Sequence, residues 1–389
     1  MKRDTNSQAF FALLRAGLWE NEVRLSQYKD IDFYAVYKLA KEQSVVGLIA
    51  AGIEHESDVK VPQNYALEFA GTALQLEQRN LAMNKFIAEM VGKMHESNIY
   101  TLLVKGQGIA QCYERPSWRA AGDIDLFLND DDYDKAVEWF SARGSIKYDE
   151  ESKYKKHVAV RINDWDIELH GTLRGELGNR IDKVIDTVQE DTFKNGHVRV
   201  WNNGVTDVII PNADNDVIFV FTHILQHFFR GGIGLRQICD WCRLIWTYRD
   251  TLDRELLSKR LSVMGVMSEW HSFAVLAVDM LGMPEKTMPF YSPAAKWKRK
   301  SERILLYILK VGNFGQNRDI RYKEQYPYFV RFMISFHRRT DDFLRQAMVF
   351  PIDALRAYMH LWGNGFAAIY KRIIARLVSK MGTAVRHAI

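Results

Sequence analysis

The sequence predicts an α+β fold in which a small mixed-sheet core is embedded in a mostly α-helical protein. Three observations support this fold class. Apolar residues recur at helical spacing over residues 7–97, β-branched and alternating runs replace that spacing between residues 98 and 212, and helical spacing returns after residue 212. With 389 residues, 47% of them hydrophobic, the chain can bury a sizeable core, which excludes wholesale disorder.

Residues 1–97 are predicted to form an N-terminal helical region. Its apolar spacing begins at Phe10, Leu13 and Leu14 and continues as far as Met94. The opening residues do not resemble a signal peptide, because Arg15 interrupts the short apolar stretch and no small-residue cleavage site follows. The late uncharged stretch 357–370 falls short of the ~20 apolar residues that span a bilayer. We therefore expect a cytoplasmic protein without an integral membrane segment.

Residues 98–212 are predicted to form the α/β core. Residues 99–104 have the pattern of a strand that ends in a glycine turn at 105–108, and a short helix should follow. A second strand over residues 123–128 precedes a helix that opens at Asn129 or Asp130. The segments His157–Ile162 and Trp165–His170 alternate like strands and are separated by a two-residue turn, which predicts a hairpin.

The rest of the chain is predicted to consist of a helical domain at residues 213–320 and a basic helical tail at residues 321–389. The tail holds 12 Lys and Arg against four Asp and Glu, so it accounts for the whole net charge of +5. Such a tail indicates either weak contact with RNA or an anionic membrane surface, or simply a solvated helical face.

Two aspartates at the second strand carry the clearest chemical signal. Side chains alternate along a strand, so Asp123 and Asp125 project to one side and the intervening Ile124 to the other. Two close carboxylates repel each other unless one is protonated or a divalent cation such as Mg²⁺ or Mn²⁺ lies between them. The alternative is a D-x-D pattern that only caps a turn. If Asp125 serves only to bind the metal, replacing Asp125 should leave folding largely intact.

Two neighbouring segments add to this signal. Alternation over Trp165–His170 puts Asp166, Glu168 and His170 on one face, so a third carboxylate is available from another strand. Upstream, Lys105 supplies a cation, and the turn at Gly106 offers free backbone N–H groups that suit phosphate oxygens. The alternative for Lys105 is an exposed loop lysine.

The order of strand, glycine turn, short helix, D-x-D strand and later acidic strand resembles the nucleotidyltransferase superfamily, which includes DNA polymerase beta-like proteins. More closely, the sequence is similar to the bacterial family of uncharacterised nucleotidyltransferases. The likeness covers residues from 7 to about 250 and is marked by Leu103-Val104-Lys105-Gly106, Arg119, Gly122-Asp123-Ile124-Asp125-Leu126 and Ile167-Glu168-Leu169-His170.

This resemblance implies Mg²⁺-dependent transfer of a nucleoside monophosphate from an NTP to an unknown acceptor, with release of pyrophosphate. The acceptor is left open between a small molecule, a protein and RNA, and a toxin-like role is left open too. The implied catalytic and metal-binding residues are Asp123, Asp125 and Glu168. Nucleotide contacts are implied for Lys105, Gly106, Gln107 and Arg119. Four further residues would either support the metal ligands or contact the acceptor: His170, His223, Arg236 and Asp240. At the last two positions a helix-surface ion pair is the alternative, because Asp240 follows Arg236 by four residues.

One departure from the superfamily pattern keeps a second function open. Gln107 stands where the superfamily usually has a serine after the first glycine of the turn. The alternative functions are therefore a catalytically degenerate nucleotide-binding or scaffold protein, and an RNA or membrane-surface adaptor that acts through the basic tail.

A histidine and cysteine pattern also has two interpretations. His223 and His227 form H-x3-H, and Cys239 and Cys242 form C-x2-C, so four zinc ligands are available. The cysteines lie among apolar residues, where buried and inert cysteine is common, and core packing is therefore the preferred interpretation.

Overall fold

The computed structural model describes residues 4–147, 156–204, 206–360 and 362. The chain forms two compact units, Met1–Asp319 and Ile320–Ile389. The sequence-based division at residues 97/98, 212/213 and 320/321 remains a proposal.

Four helices form the N-terminal part of the first unit: α1 (Thr5–Trp19), α2 (Phe33–Glu42), α3 (Val46–Glu54) and α4 (Gln63–Glu96). The α1 and α3 backbones touch at two glycines. A Cβ atom on Gly17 would lie 1.8 Å from the carbonyl oxygen of Leu48, and one on Gly52 would lie 2.0 Å from that of Leu13. Glycine is therefore required at this helix crossing.

A five-stranded mixed sheet follows α4. Its elements are β1 (Leu102–Val104), α5 (Gly106–Ala110), β2 (Ile124–Phe127), α6 (Asp130–Ser141), β3 (Ser145–Lys147), β4 (His157–Ile162) and β5 (Trp165–His170). The spatial order is β1-β2-β5-β4-β3, with β2 and β5 parallel and the other neighbours antiparallel. Apolar residues between the charged positions of β2 and β5 enter a buried core with α4, which includes Ile124, Leu126, Ile167, Leu169, Met83, Ile87 and Met90.

The remaining elements of the first unit are α7 (Asn179–Phe193), β6 (Val198–Asn202), β7 (Asp207–Pro211), α8 (Ala213–Arg230), α9 (Leu235–Thr247), α10 (Arg254–Met264), α11 (Met267–Val275), a π-helical turn (Leu276–Met280) and α12 (Ala295–Val311). The predicted α+β class is confirmed, as is the hairpin of β4 and β5. The β6–β7 hairpin was not predicted. The strand expected at 123–128 is shorter, so Asp123 directly precedes β2.

The described part of the second unit is helical: α13 (Tyr322–Gln325), α14 (Tyr328–Ala347) and a further helix over residues 351–360. Its aromatic rings pack on one another, with Phe343 stacked on Tyr358 at 4.5 Å between ring centroids. Residues 361 and 363–389 of the predicted basic tail lie outside the described residues.

No single helix of the described residues is both long and apolar enough to cross a bilayer; α10 and the following helix Met267–Met280 meet that test only together, across a 119° bend.

Candidate active site

Three carboxylates meet where β2 and β5 lie side by side. In the parallel register Asp125 is the partner of Glu168, and Asp123 precedes β2 by one residue. One oxygen from each of Asp123, Asp125 and Glu168 lies within 4.8 Å of the others. Strand alternation and the pairing of β2 with β5 thus bring together the three acids that the sequence singled out.

Asp125 is the buried member of the cluster, with 3% of its surface exposed. Its Oδ1 lies 2.6 Å from Lys105 Nζ and 2.9 Å from His170 Nε2. Burial alone would raise the pKa of Asp125, but the charge of Lys105 and the hydrogen bond from His170 lower it below the usual value. Asp125 is therefore an ionised carboxylate that Lys105 and His170 hold in place.

Lys105 and His170 respond to the same charges. Burial would lower the pKa of each, yet the pKa of Lys105 is raised by Asp125, Asp123 and Glu168, and that of His170 by hydrogen bonds to Asp125 and Glu168. Lys105 is thus a partly buried cation, with 15% of its side chain exposed, and not the exposed loop lysine of the alternative interpretation.

Glu168 accepts hydrogen bonds from two imidazoles. His157 Nε2 lies 3.2 Å and His170 Nε2 3.5 Å from Glu168 Oε2, and these hydrogen bonds hold the pKa of Glu168 well below its usual range. Sequence reasoning missed His157. A signal for it existed: the two-residue turn of the hairpin pairs Ile162 with Trp165, and the same register pairs His157 with His170.

Asp123 has the opposite electrostatic environment. Among the three carboxylates, Asp123 is the exposed one. Its pKa is raised by partial desolvation and by the negative charges of Asp125 and Glu168. A further cation at this point would relieve the repulsion among the three carboxylates.

A cavity of about 360 Å³ opens on the carboxylates. One wall, the sheet wall, consists of Lys105, Asp123, Asp125 and Glu168. A second wall, the helical wall, consists of Val220, His223, Ile224, His227, Arg236 and Phe314; Gly106, Ile109, Arg119, Gly122, Gln237 and Asp240 complete the lining.

The family model described as uncharacterised nucleotidyltransferase matches residues 29–282 and thus includes every carboxylate of the cluster. The chain belongs to the uncharacterised nucleotidyltransferase family. The resemblance drawn from the sequence is confirmed, and membership supports an activity of the nucleotidyltransferase type. No curated protein and no solved structure shows a significant match to the chain.

The glycine turn contains one residue with a strained backbone, Lys105. Lys105 has φ 57° and ψ −145°, and Gly106 has φ 40°. A positive φ is uncommon outside glycine and is a frequent property of functional sites, where the surrounding structure maintains it. Here the Lys105–Asp125 ion pair is one such constraint, because it fixes the lysine side chain beside β2.

Gln107 does not line the cavity. Its side chain is buried, and its amide donates to Asn80 Oδ1 at 3.1 Å. Asn80 in turn donates to the carbonyl oxygens of Ser117 and Arg119. The side chain of Gln107 therefore ties the turn to α4, and a phosphate contact through its amide has no support in this geometry.

Arg119 and Asp240 form a buried ion pair at the edge of the cavity. Arg119 Nε and Nη2 each lie 2.7 Å from a carboxylate oxygen of Asp240, and the hydroxyl of Tyr113 donates to Asp240 Oδ1 at 2.7 Å. The expected surface pair between Arg236 and Asp240 is therefore wrong. Two side chains 121 positions apart form the pair instead.

The histidine and cysteine pattern does not form a zinc site. Within the described residues, the groups of three His, Cys, Asp or Glu ligand atoms that lie within 4.8 Å of one another are Asp123–Asp125–Glu168 and His157–Glu168–His170. Cys239 and Cys242 are fully buried, and burial raises the pKa of both thiols. His223 and His227 instead contact each other, with 3.0 Å between their Nε2 atoms.

Proposed function

We propose that the protein transfers a nucleoside monophosphate from an NTP to an acceptor hydroxyl or phosphate in a reaction that depends on Mg²⁺ or Mn²⁺ and releases pyrophosphate. The observation that carries this proposal is the convergence of Asp123, Asp125 and Glu168 beside Lys105 in one cavity. Membership in a nucleotidyltransferase family supports it.

The carboxylate cluster fits a hard divalent cation. Its donors are three carboxylates on two adjacent strands, and Mg²⁺ prefers oxygen ligands. When bound, divalent ions would offset the charge of the phosphates and hold the attacking and leaving oxygens. The raised pKa of Asp123 supports this fit, since the cluster carries more negative charge than the nearby Lys105 offsets.

The protein's own groups have separate tasks in this proposal. Lys105, fixed by Asp125, places one positive charge where a triphosphate would otherwise meet three carboxylates. Glu168 accepts hydrogen bonds from His157 and His170, which orient it as a ligand and favour its ionised form. Orientation and charge, more than covalent chemistry, would therefore supply the rate enhancement.

The test uses NTPs labelled at the α or the γ phosphate, with Mg²⁺ and cell extract as the source of acceptors. We expect the α label to enter an acceptor and the γ label to leave as pyrophosphate. Asp123→Asn should lower this transfer by roughly 100-fold or more, because a cation ligand is lost. Asp166→Asn is the matched control on β5, where Asp166 pairs with Arg161 at the surface. Transfer of the γ label, or equal activity of both variants, would contradict the proposal.

A degenerate nucleotide-binding protein is the second candidate, and one observation favours it. Gln107 replaces the usual serine and directs its amide to Asn80, while Arg119 is already neutralised by Asp240. Such a protein would bind NTP and Mg²⁺ but transfer neither label. The same labelling experiment, combined with a binding titration, separates the two candidates.

A further inference from the structure

The helical wall of the cavity contains an aromatic ring held in an unusual backbone conformation. Phe314 lies in the short loop Asn313–Gly315 that follows α12, with φ 49° and ψ 26°. Gly312 and Gly315 on either side also have positive φ. A bulky residue adopts this conformation only when its surroundings maintain it, and such strain is concentrated at functional sites.

A second glycine loop, at residues 231–234, maintains the backbone conformation of Phe314. A Cβ on Gly315 would lie 2.7 Å from the carbonyl oxygen of Gly231, and one on Gly234 would lie 2.8 Å from Asn313 Cβ. Asn313 also accepts from Gln237 Nε2 and donates to Ser44 Oγ, both at 2.8 Å. The loop is thus firmly anchored, yet Phe314 remains 52% exposed at the cavity, so core packing does not explain its position.

The neighbours of Phe314 are one uncharged imidazole and one guanidinium. The His227 ring meets the Phe314 ring edge-on at 4.8 Å, and the Arg236 guanidinium lies 5.8 Å from the Phe314 centroid. Burial and the charge of Lys105 lower the pKa of His227 to about 4, so it is neutral at pH 7. This wall therefore places the ring of Phe314 beside a neutral imidazole and a cationic guanidinium.

Arg236 adds a guanidinium to this wall. Its Nη1 donates to the carbonyl oxygen of Ala120 at 2.7 Å, which fixes the side chain. Arg236 lines the cavity, and a guanidinium carries five N–H donors.

We propose that Phe314, His227 and Arg236 form the nucleobase subsite of this enzyme, where the base stacks on Phe314 and accepts a hydrogen bond from Arg236 at its polar edge. This inference rests on the proposed nucleotidyltransferase function. A nucleobase is a planar, uncharged ring with acceptor atoms at its rim, which matches an aromatic face beside a guanidinium that lines the same cavity. The phosphates belong to the sheet wall, where Lys105 lies.

Phe314 lies beyond the part of the chain that the family model matches. The match ends at residue 282, whereas Phe314 follows α12 at residues 295–311. The carboxylates and Arg236 lie within the matched part.

Calorimetric titration in the presence of Mg²⁺ tests the subsite, with each NTP and inorganic triphosphate as separate ligands. Phe314→Ala should weaken NTP affinity by roughly 5- to 100-fold, in line with the loss of one base stack, and leave the triphosphate affinity unchanged. Phe314→Tyr should restore NTP affinity. Tyr34→Ala, at an aromatic residue of α2 that is 58% exposed, is the control and should change neither affinity.

The outcomes separate this inference from the function on which it rests. Unchanged NTP affinity in Phe314→Ala, or an equal loss for NTP and triphosphate, would overturn the subsite while the nucleotidyltransferase function stands. Failure of the wild-type protein to bind any NTP with Mg²⁺ would overturn both. If Phe314→Ala lowers the melting temperature, Phe314→Leu keeps the apolar bulk without a ring, and it should show the same selective loss.

Discussion

The two walls of the cavity treat ionisable groups in opposite ways. On the sheet wall, Lys105 forms an ion pair with Asp125, and His170 lies beside Asp125 and Glu168. On the helical wall, His227 is neutral at pH 7, and Arg236 donates to a carbonyl oxygen. Burial alone would lower the pKa of both Lys105 and His227. The carboxylates raise the pKa of Lys105, whereas the charge of Lys105 lowers that of His227 further.

The largest expected effect is a difference in stability between substitutions of two aspartates of the sheet wall. Asp125→Asn should lower the free energy of unfolding by about 3–5 kcal/mol, because Lys105 and His170 would remain buried beside a neutral amide. Asp123→Asn should change it by less than about 1 kcal/mol, since Asp123 is exposed and the substitution removes repulsion. Urea unfolding of both variants measures the difference. Equal stabilities would show that the Asp125 ion pairs contribute little.

This expectation corrects one drawn from the sequence. Asp125 was expected to serve the metal alone, with little consequence for folding. The structure shows that the buried carboxylate of Asp125 pairs with Lys105, so its replacement should also affect folding.

The second prediction concerns the cation of the sheet wall. Lys105→Ala should weaken binding of Mg²⁺–NTP by roughly 10- to 100-fold, because the triphosphate would lose a buried positive charge. Lys194→Ala is the control, since Lys194 pairs with Glu190 on the surface of α7. Calorimetry gives both affinities. Wild-type affinity in Lys105→Ala would remove Lys105 from the nucleotide site and limit it to balancing Asp125.

The third prediction sharpens the contrast through pH. The folded pKa of His227 is about 4, below the unfolded value of about 6.5, and that of His223 is also lowered. Between these pH values the two histidines bind protons in the unfolded chain but not in the folded one, so together they should lower stability by about 1–3 kcal/mol as pH drops from 7 to 4. His227→Gln should remove part of this loss. An equal pH dependence of stability in the wild type and His227→Gln would contradict a neutral His227.

The smallest expected effect lies in the second unit. A chain that ends at Asp319 retains both walls of the cavity and removes 12 basic and four acidic residues. If the basic tail binds anionic surfaces, co-sedimentation with anionic vesicles, or retardation of RNA in a gel, should be lost on truncation and weakened several-fold by physiological salt. Binding unchanged by truncation would leave the tail as a solvated helical face.

Local patterns in the sequence predicted most of the sheet wall. Alternation put Asp123 and Asp125 on one side of a strand and Glu168 with His170 on another, and the two-residue turn predicted the hairpin. These features depend on residues close in the chain. The parallel pairing of β2 with β5 joins segments that are distant in the chain. Only the resemblance to a family indicated this pairing from the sequence.

The helical wall and the rest of the cavity lining were harder to predict because distant segments build them. Arg119 pairs with Asp240, which lies 121 positions later in the chain. The loop at Phe314 contacts the glycine loop at residues 231–234 through the backbone. Spacing within one helix indicated an Arg236–Asp240 pair, but the buried guanidinium of Arg119 supplies two aligned hydrogen bonds to the same carboxylate. Tertiary contacts of this kind have no signature in a single sequence.

Binding of Mn²⁺ measured by electron paramagnetic resonance tests the central claim, that the three carboxylates form a divalent-cation site which serves the nucleotide. With NTP present, the wild-type protein should bind one or two Mn²⁺ ions that Mg²⁺ displaces, and Asp123→Asn and Glu168→Gln should each lose at least one. The surface variant Asp166→Asn should match the wild type. Unchanged Mn²⁺ stoichiometry and affinity in both cluster variants would contradict the account.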